Sequence, residues 1–180
     1  MRIEVTPITM SEEEALKVAR GGGNVIGKAM FGKKDINLQL WYLENREVIF
    51  NLDYQPAPLM RWLGKTGSKR PSQKIRMVVE GTRCTASYAG EPINKREIEI
   101  EDSEAIQKTT YSDEEIIQTA KRMAVRMVRR QIGQVPKAEL YEMRTFYRPY
   151  YIAFYGELKM GTRVRYLPIP ADGNRVERAL

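Results

Sequence analysis

The sequence SDEEIIQTAKRMAVRMVRRQIG, from Ser112 to Gly133, reads as one amphipathic helix with both ends marked, and the rest of the chain is placed by reference to it. Ser112 and Glu115 stand at the Ser-x-x-Glu spacing of a capping box: the hydroxyl accepts from the N–H three residues on, and the carboxylate reaches back. At about 100° per residue, Ile116, Ala120, Met123, Ala124 and Met127, flanked by Ile117 and Val128, gather on one arc, the expected core face. Arg122, Arg126 and Arg129 gather on the other side, with Arg130 at its border. Gly133 followed by Pro136 stops the helix. Acids in the first turn and arginines near the last suit the helix dipole, at about 0.3 to 1 kcal/mol per charge. The arginine row therefore has two readings: a solvated, dipole-matched face, or a contact surface for an acidic partner.

The opening of this helix recurs upstream. Ser11-Glu12-Glu13-Glu14-Ala15-Leu16-Lys17-Val18-Ala19-Arg20 matches Ser112 to Lys121 in residue type, position by position, at an offset of 101 residues. Gly32 falls opposite Gly133 at the same offset, and Glu47 to Phe50 falls opposite Tyr151 to Phe154 three residues later. A period this long in 180 residues points to a duplicated domain rather than a solenoid. The competing reading is that caps and strand alternation are generic. The expected fold class is α+β, with two similar helix-plus-antiparallel-sheet repeats packed in a cystatin-like way that can close into one compact body. The first repeat would cover residues 1–104 with a long loop at 54–74, and the second residues 105–180.

Within that plan, Arg2 to Ile8 suggests a short edge strand limited by Pro7. Ile36 to Leu43 and Glu47 to Asp53 read as a hairpin turning at Glu44-Asn45-Arg46. Ile75 to Val79, Arg83 to Tyr88 and Arg96 to Glu101 follow as strands, the last an edge guarded by Glu97, Glu99 and Glu101. In the second half Leu140 to Tyr147, Tyr150 to Leu158 and Arg163 to Ile169 are strand-like, with Pro149 interrupting the first two and Asp172-Gly173-Asn174 forming a turn.

Composition narrows the chemistry. Thirty Lys and Arg against 23 Asp and Glu give a net charge of +7, which favours acidic surfaces and polyanions without requiring either. No apolar run approaches the ~18 residues of a membrane span, so no membrane partner is expected. The amino-terminal MRIEVTPITM lacks the apolar core of a secretory signal, which makes the cytoplasm the expected location. The single cysteine, Cys84, cannot form an internal disulfide and reads as a buried strand thiol.

Histidine is absent, which removes Ser-His and Cys-His nucleophile systems and most zinc sites, so no metal and no cofactor is expected. Gly22 to Ala29 satisfies the G-x-x-x-x-G-K core of a phosphate loop but lacks the hydroxyl that should follow the lysine, and it follows a helix where a strand is required. For nucleic acid, the arginine face (Arg122, Arg126, Arg129), the loop cations Lys65, Lys69 and Arg70, and the aromatic-basic group Tyr147, Arg148 and Tyr151 would supply phosphate contacts and stacking platforms. Aromatics at alternate strand positions equally suit a sheet core.

The capped helix, the aromatic strand Tyr150-Tyr151-Ile152-Ala153-Phe154-Tyr155, and the later Ala171-Asp172-Gly173-Asn174-Arg175-Val176 together resemble the PepSY-type, cystatin-like modules that often occur in tandem. That resemblance implies a non-catalytic fold that binds or restrains partners. The function expected is a binding protein acting through protein contacts with a partner or a second copy of itself. Nucleic-acid binding is the alternative, and enzymatic activity is the least favoured reading.

Overall fold

The computed structural model describes residues 1–21, 35–53, 72–101, 105–156 and 164–173. Its elements run β1 (Arg2–Val5), α1 (Glu12–Ala19), β2 (Ile36–Asp53), β3 (Ser72–Glu80), β4 (Thr85–Tyr88), β5 (Arg96–Glu99), β6 (Ile106–Gln107), α2 (Asp113–Ile132), β7 (Lys137–Tyr155) and β8 (Arg165–Pro170). The loop expected at 54–74 lies outside the described residues up to 71, as do the phosphate-loop-like segment and the tail beyond 173.

The expectation of two helix-plus-antiparallel-sheet repeats with cystatin-like packing is overturned. The described residues form an eight-stranded mixed sheet with two helices, in the order β4-β3-β2-β7-β1-β5, while β6 pairs with β2 and β8 with β7. The β1–β7 and β2–β6 pairs are parallel. A late strand, β7, stands between the early strands β2 and β1, so successive repeats do not describe the sheet.

Residues that resemble turns lie inside long strands. Glu44-Asn45-Arg46 does not close a hairpin: β2 runs through it for 18 residues, and Asn45 and Arg46 pair with Glu80 and Val79 of β3. Likewise β7 runs 19 residues through Pro149. The strand tolerates this proline because of where it falls along one edge of β7. The N–H of Thr6, just after β1, donates to the Tyr147 carbonyl at 3.0 Å, and the N–H of Ala171, just after β8, donates to the Pro149 carbonyl at 2.9 Å. Pro149 thus sits where one neighbour yields to the next, and its missing N–H falls at that junction. Two smaller corrections follow: β1 is interior between β7 and β5, and Cys84 is a half-buried turn residue at φ 49°.

Contacts divide the chain into two units. One comprises Met1–Leu43, Asn94–Gln107 and Tyr147–Leu180, and the other Glu44–Ile93 and Lys108–Phe146. In the second unit, α2 lays Ile116, Ala120, Ala124 and Val128, each four residues apart, on Val48, Phe50, Leu52, Ile75, Met77 and Val79. Phe50 and Met77 are fully buried there, each contributing about 1.5 to 3 kcal/mol. The Ser112–Glu115 capping box forms, and Gly133 ends the helix in the left-handed conformation at φ 72°.

In the first unit, α1 opens on the equivalent Ser11–Glu14 box. It sets Ala15 and Ala19 against Ala153 and Ile169, with Met10, Ile36, Leu38 and Tyr151 around them. Small residues on the buried face let a two-turn helix lie close to its sheet. The Tyr155 hydroxyl donates to the Ala19 carbonyl at 2.7 Å, satisfying one of the acceptors left over at the helix end. No described helix is long and apolar enough to cross a membrane.

Candidate functional site

The second unit carries a cleft on its sheet. In β2 and β3, Ile49 pairs with Arg76 and Asn51 with Lys74, alternating with the Val48–Met77 and Phe50–Ile75 pairs that meet α2. The period of two therefore turns the first set away from the helix. Lys74 places its ammonium 3.6 Å from the centroid of the Tyr141 ring, a cation–π contact of about 0.5 to 1 kcal/mol at an exposed site. Arg76 is held by the buried Glu47 carboxylate, Nε to Oε1 2.7 Å. With Tyr88, Ala89, Gly90 and Glu142 these residues line a cleft of about 270 Å³. Tyr88 and Tyr141 are 52% and 53% exposed, and it is the Tyr141 ring that carries the lysine contact.

Behind the cleft lies a polar hub that explains how β2 carries charge through its centre. Arg46 Nη2 lies 2.8 Å from Glu44 Oε1 and 3.5 Å from Asp113, and its Nη1 donates to the Thr145 hydroxyl at 2.7 Å. Glu44 accepts from the Thr109 N–H at 3.3 Å and from the Gly81 N–H, through its carbonyl, at 3.0 Å. The Thr109 hydroxyl in turn donates to the Gly81 carbonyl at 2.8 Å. These partners come from β2, the turn after β3, the approach to α2 and β7. They stabilise a strand that its sequence presents as a turn.

The first unit holds a second charged group. Asp172, its side chain 1% exposed, accepts a two-pronged contact from Arg148, Nε to Oδ2 2.7 Å and Nη2 to Oδ1 2.9 Å, and a further hydrogen bond from the Thr6 hydroxyl at 3.2 Å. The Arg148 guanidinium also lies 5.5 Å from the centre of the Tyr150 ring.

The residues singled out from sequence are placed as follows. Arg122, Arg126 and Arg129 are exposed along α2, where Arg122 donates to the Thr119 hydroxyl at 3.2 Å. Lys65, Lys69 and Arg70 lie outside the described residues. Tyr147 is buried with Ile3 and Val5, Arg148 is engaged by Asp172, and Tyr151 is half-buried against α1. Burial pushes the Tyr151 phenol above its ordinary pKa, and the neighbouring Glu12 carboxylate adds to that. Desolvation likewise raises Tyr42 and Tyr155.

Sequence reasoning missed Lys74, Arg76, Tyr88 and Tyr141 as a group. Lys74 and Arg76 alternate with Ile75 and Met77, a visible sign of one wet and one dry face. Tyr141 joins them only through pairing across strands, which no local pattern encodes. Among the described residues no group of three or more His, Cys, Asp or Glu is placed to hold a metal ion. The cleft offers an ammonium, an ion-paired guanidinium, an aliphatic side chain and two tyrosines. No family model, curated protein or solved structure matches this chain, so the geometry of its own residues carries the functional argument.

Proposed function

We propose that the protein is a non-catalytic interaction module acting through protein contacts, with the cleft of the second unit as its contact site. The observation that carries this reading is the pair of half-exposed tyrosines, Tyr88 and Tyr141, around Lys74 and Ile49. Tyrosines are enriched at interfaces because a rigid ring supplies area while its hydroxyl stays hydrogen-bonded. The fitting partner presents an apolar side chain to the rings and a carboxylate to Lys74. A cytoplasmic setting belongs to this proposal, on the strength of the single cysteine.

Photo-crosslinking tests it. Benzoylphenylalanine at position 141, in the full chain expressed in its own cells, should give a discrete adduct that Lys74→Glu abolishes. The same probe at Tyr166 should not give that adduct. No adduct at 141, or one indifferent to the charge at 74, would refute the cleft as the site.

A second reading rests on the exposed row Arg122, Arg126, Arg129 and Arg130, which fits a polyanion. Anisotropy titrations with single- and double-stranded DNA and RNA at two salt concentrations decide it. Engagement of nucleic acid would show as log affinity falling with log salt by about 0.9 per phosphate neutralised on duplex DNA.

A further inference from the structure

We infer that a second copy of this chain adds to the free edge of β4 in an antiparallel pairing centred on Ser87. The inference does not depend on the cleft proposal. β4 ends the sheet order, with β3 on one side and no strand paired on the other among the described residues. Of the other strands with one paired neighbour, β5 carries Glu97 and Glu99 and β8 carries Pro168 and Pro170, which discourage strand addition, and β6 is only two residues long. β4 reads Thr-Ala-Ser-Tyr, with neither a charge nor a proline.

The hydrogen-bond pattern fixes the register. The Ala89 N–H donates to the Arg76 carbonyl at 3.0 Å, and Val78 pairs with Ser87 and Glu80 with Thr85. In an antiparallel ladder the direction alternates residue by residue, so Thr85, Ser87 and Ala89 turn their peptide groups toward β3. Ala86 and Tyr88 turn theirs outward. Two such edges meeting antiparallel can exchange N–H and C=O between Ala86 of one copy and Tyr88 of the partner subunit, and the reverse, for about four hydrogen bonds.

A two-fold axis then passes between the two Ser87 residues, which form a non-hydrogen-bonded pair with Cα atoms about 4.5 Å apart. The side chains suit that register. Ala86 faces the half-exposed Tyr88, small against large, Thr85 faces Ala89, and no like charges meet.

Sedimentation of the full chain up to about 0.5 mM tests the inference, because an interface below the usual ~800 Å² per partner assembles weakly. Wild type should approach twice the chain mass with rising concentration. Ser87→Lys and Ser87→Glu should each stay at the mass of one chain, and an equimolar mixture of the two should recover the dimer. Ser87 is exposed, and circular dichroism with thermal unfolding checks that both variants fold. Tyr141→Ala, which alters the cleft, should leave the dimer intact. A wild type that stays at the mass of one chain throughout overturns the inference. So does a dimer that survives Ser87→Lys, or one that Tyr141→Ala dissolves.

Discussion

Replacing Arg148 by alanine should cost about 3 to 5 kcal/mol of stability, the usual penalty for breaking a buried ion pair from one side. The geometry supports the upper part of the range for such contacts. Both prongs fall at hydrogen-bonding distance, 2.7 and 2.9 Å, and the two side chains are 11% and 1% exposed, so solvent screening offers little discount. Two charge-assisted hydrogen bonds at about 1.5 to 3 kcal/mol each give a similar total. At about 2 to 4 °C per kcal/mol for a chain of this size, the melting temperature should fall by about 6 to 20 °C. Urea unfolding followed by circular dichroism measures the loss directly. Arg148→Met with Asp172→Leu removes both charges and should cost less than Arg148→Ala alone, leaving mainly the Thr6 hydroxyl short of its acceptor, about 1 to 3 kcal/mol. A loss under about 1 kcal/mol for Arg148→Ala would refute the reasoning. It would return Arg148 to the candidates for an external contact.

Gly81→Ala should destabilise by about 2 to 4 kcal/mol, because its new Cβ would meet the Glu44 carbonyl oxygen at 2.3 Å and the Thr109 Cβ at 3.0 Å; urea unfolding showing a change within about 0.5 kcal/mol would exclude that clash. Ser112→Ala should cost about 1 kcal/mol through the lost cap on α2, read as a lower thermal midpoint, whereas Ser112→Asp should nearly preserve it. Stability should decline in alkali. Burial raises the folded pKa values of Tyr42, Tyr151 and Tyr155, so their contribution is full below about pH 10, where the unfolded phenols titrate, and is lost as pH rises through the raised folded values. Tyr155→Phe should flatten that decline and remove the bond to Ala19, about 0.5 to 1.5 kcal/mol at neutral pH; equal urea midpoints for wild type at about pH 8 and about pH 11 would contradict the alkaline prediction.

The helices were legible because their signals are local. A serine and a glutamate three residues apart find each other within one turn, and Ile116, Ala120 and Ala124 share a face through geometry internal to the helix. The strands were legible as strands but not in their extent. Glu44, Asn45 and Arg46 suit a turn until Thr109, Asp113 and Thr145, brought from far along the chain, satisfy their charge. Pro149 signals a break until β1 and β8 are seen to divide that edge of β7 between them. The cleft was hidden for the same reason, since Lys74 and Tyr141 are neighbours only once β3 and β7 are in place. Arg148 and Tyr147 attracted attention as an aromatic-basic cluster, whereas the fold directs the one to Asp172 and buries the other.

The interleaving of the two units has a consequence for synthesis. All segments of the second unit have been made once Phe146 is added, so α2 can close on β2 and β3 while the chain is still growing. The first unit must wait. Val5 has no β7 partner until Tyr147 emerges, and Thr6 has no Asp172 until later still, a separation of 166 residues. Until then Ile3 and Val5 have β5 but not Tyr147 to cover them, and the small face of α1 lacks Ala153 and Ile169, with a loop of most of the chain's length still to be closed. Protease sensitivity of ribosome-held chains should therefore disappear from the second unit first. β1 and α1, though made before the second unit, should be among the last elements to become fully protected.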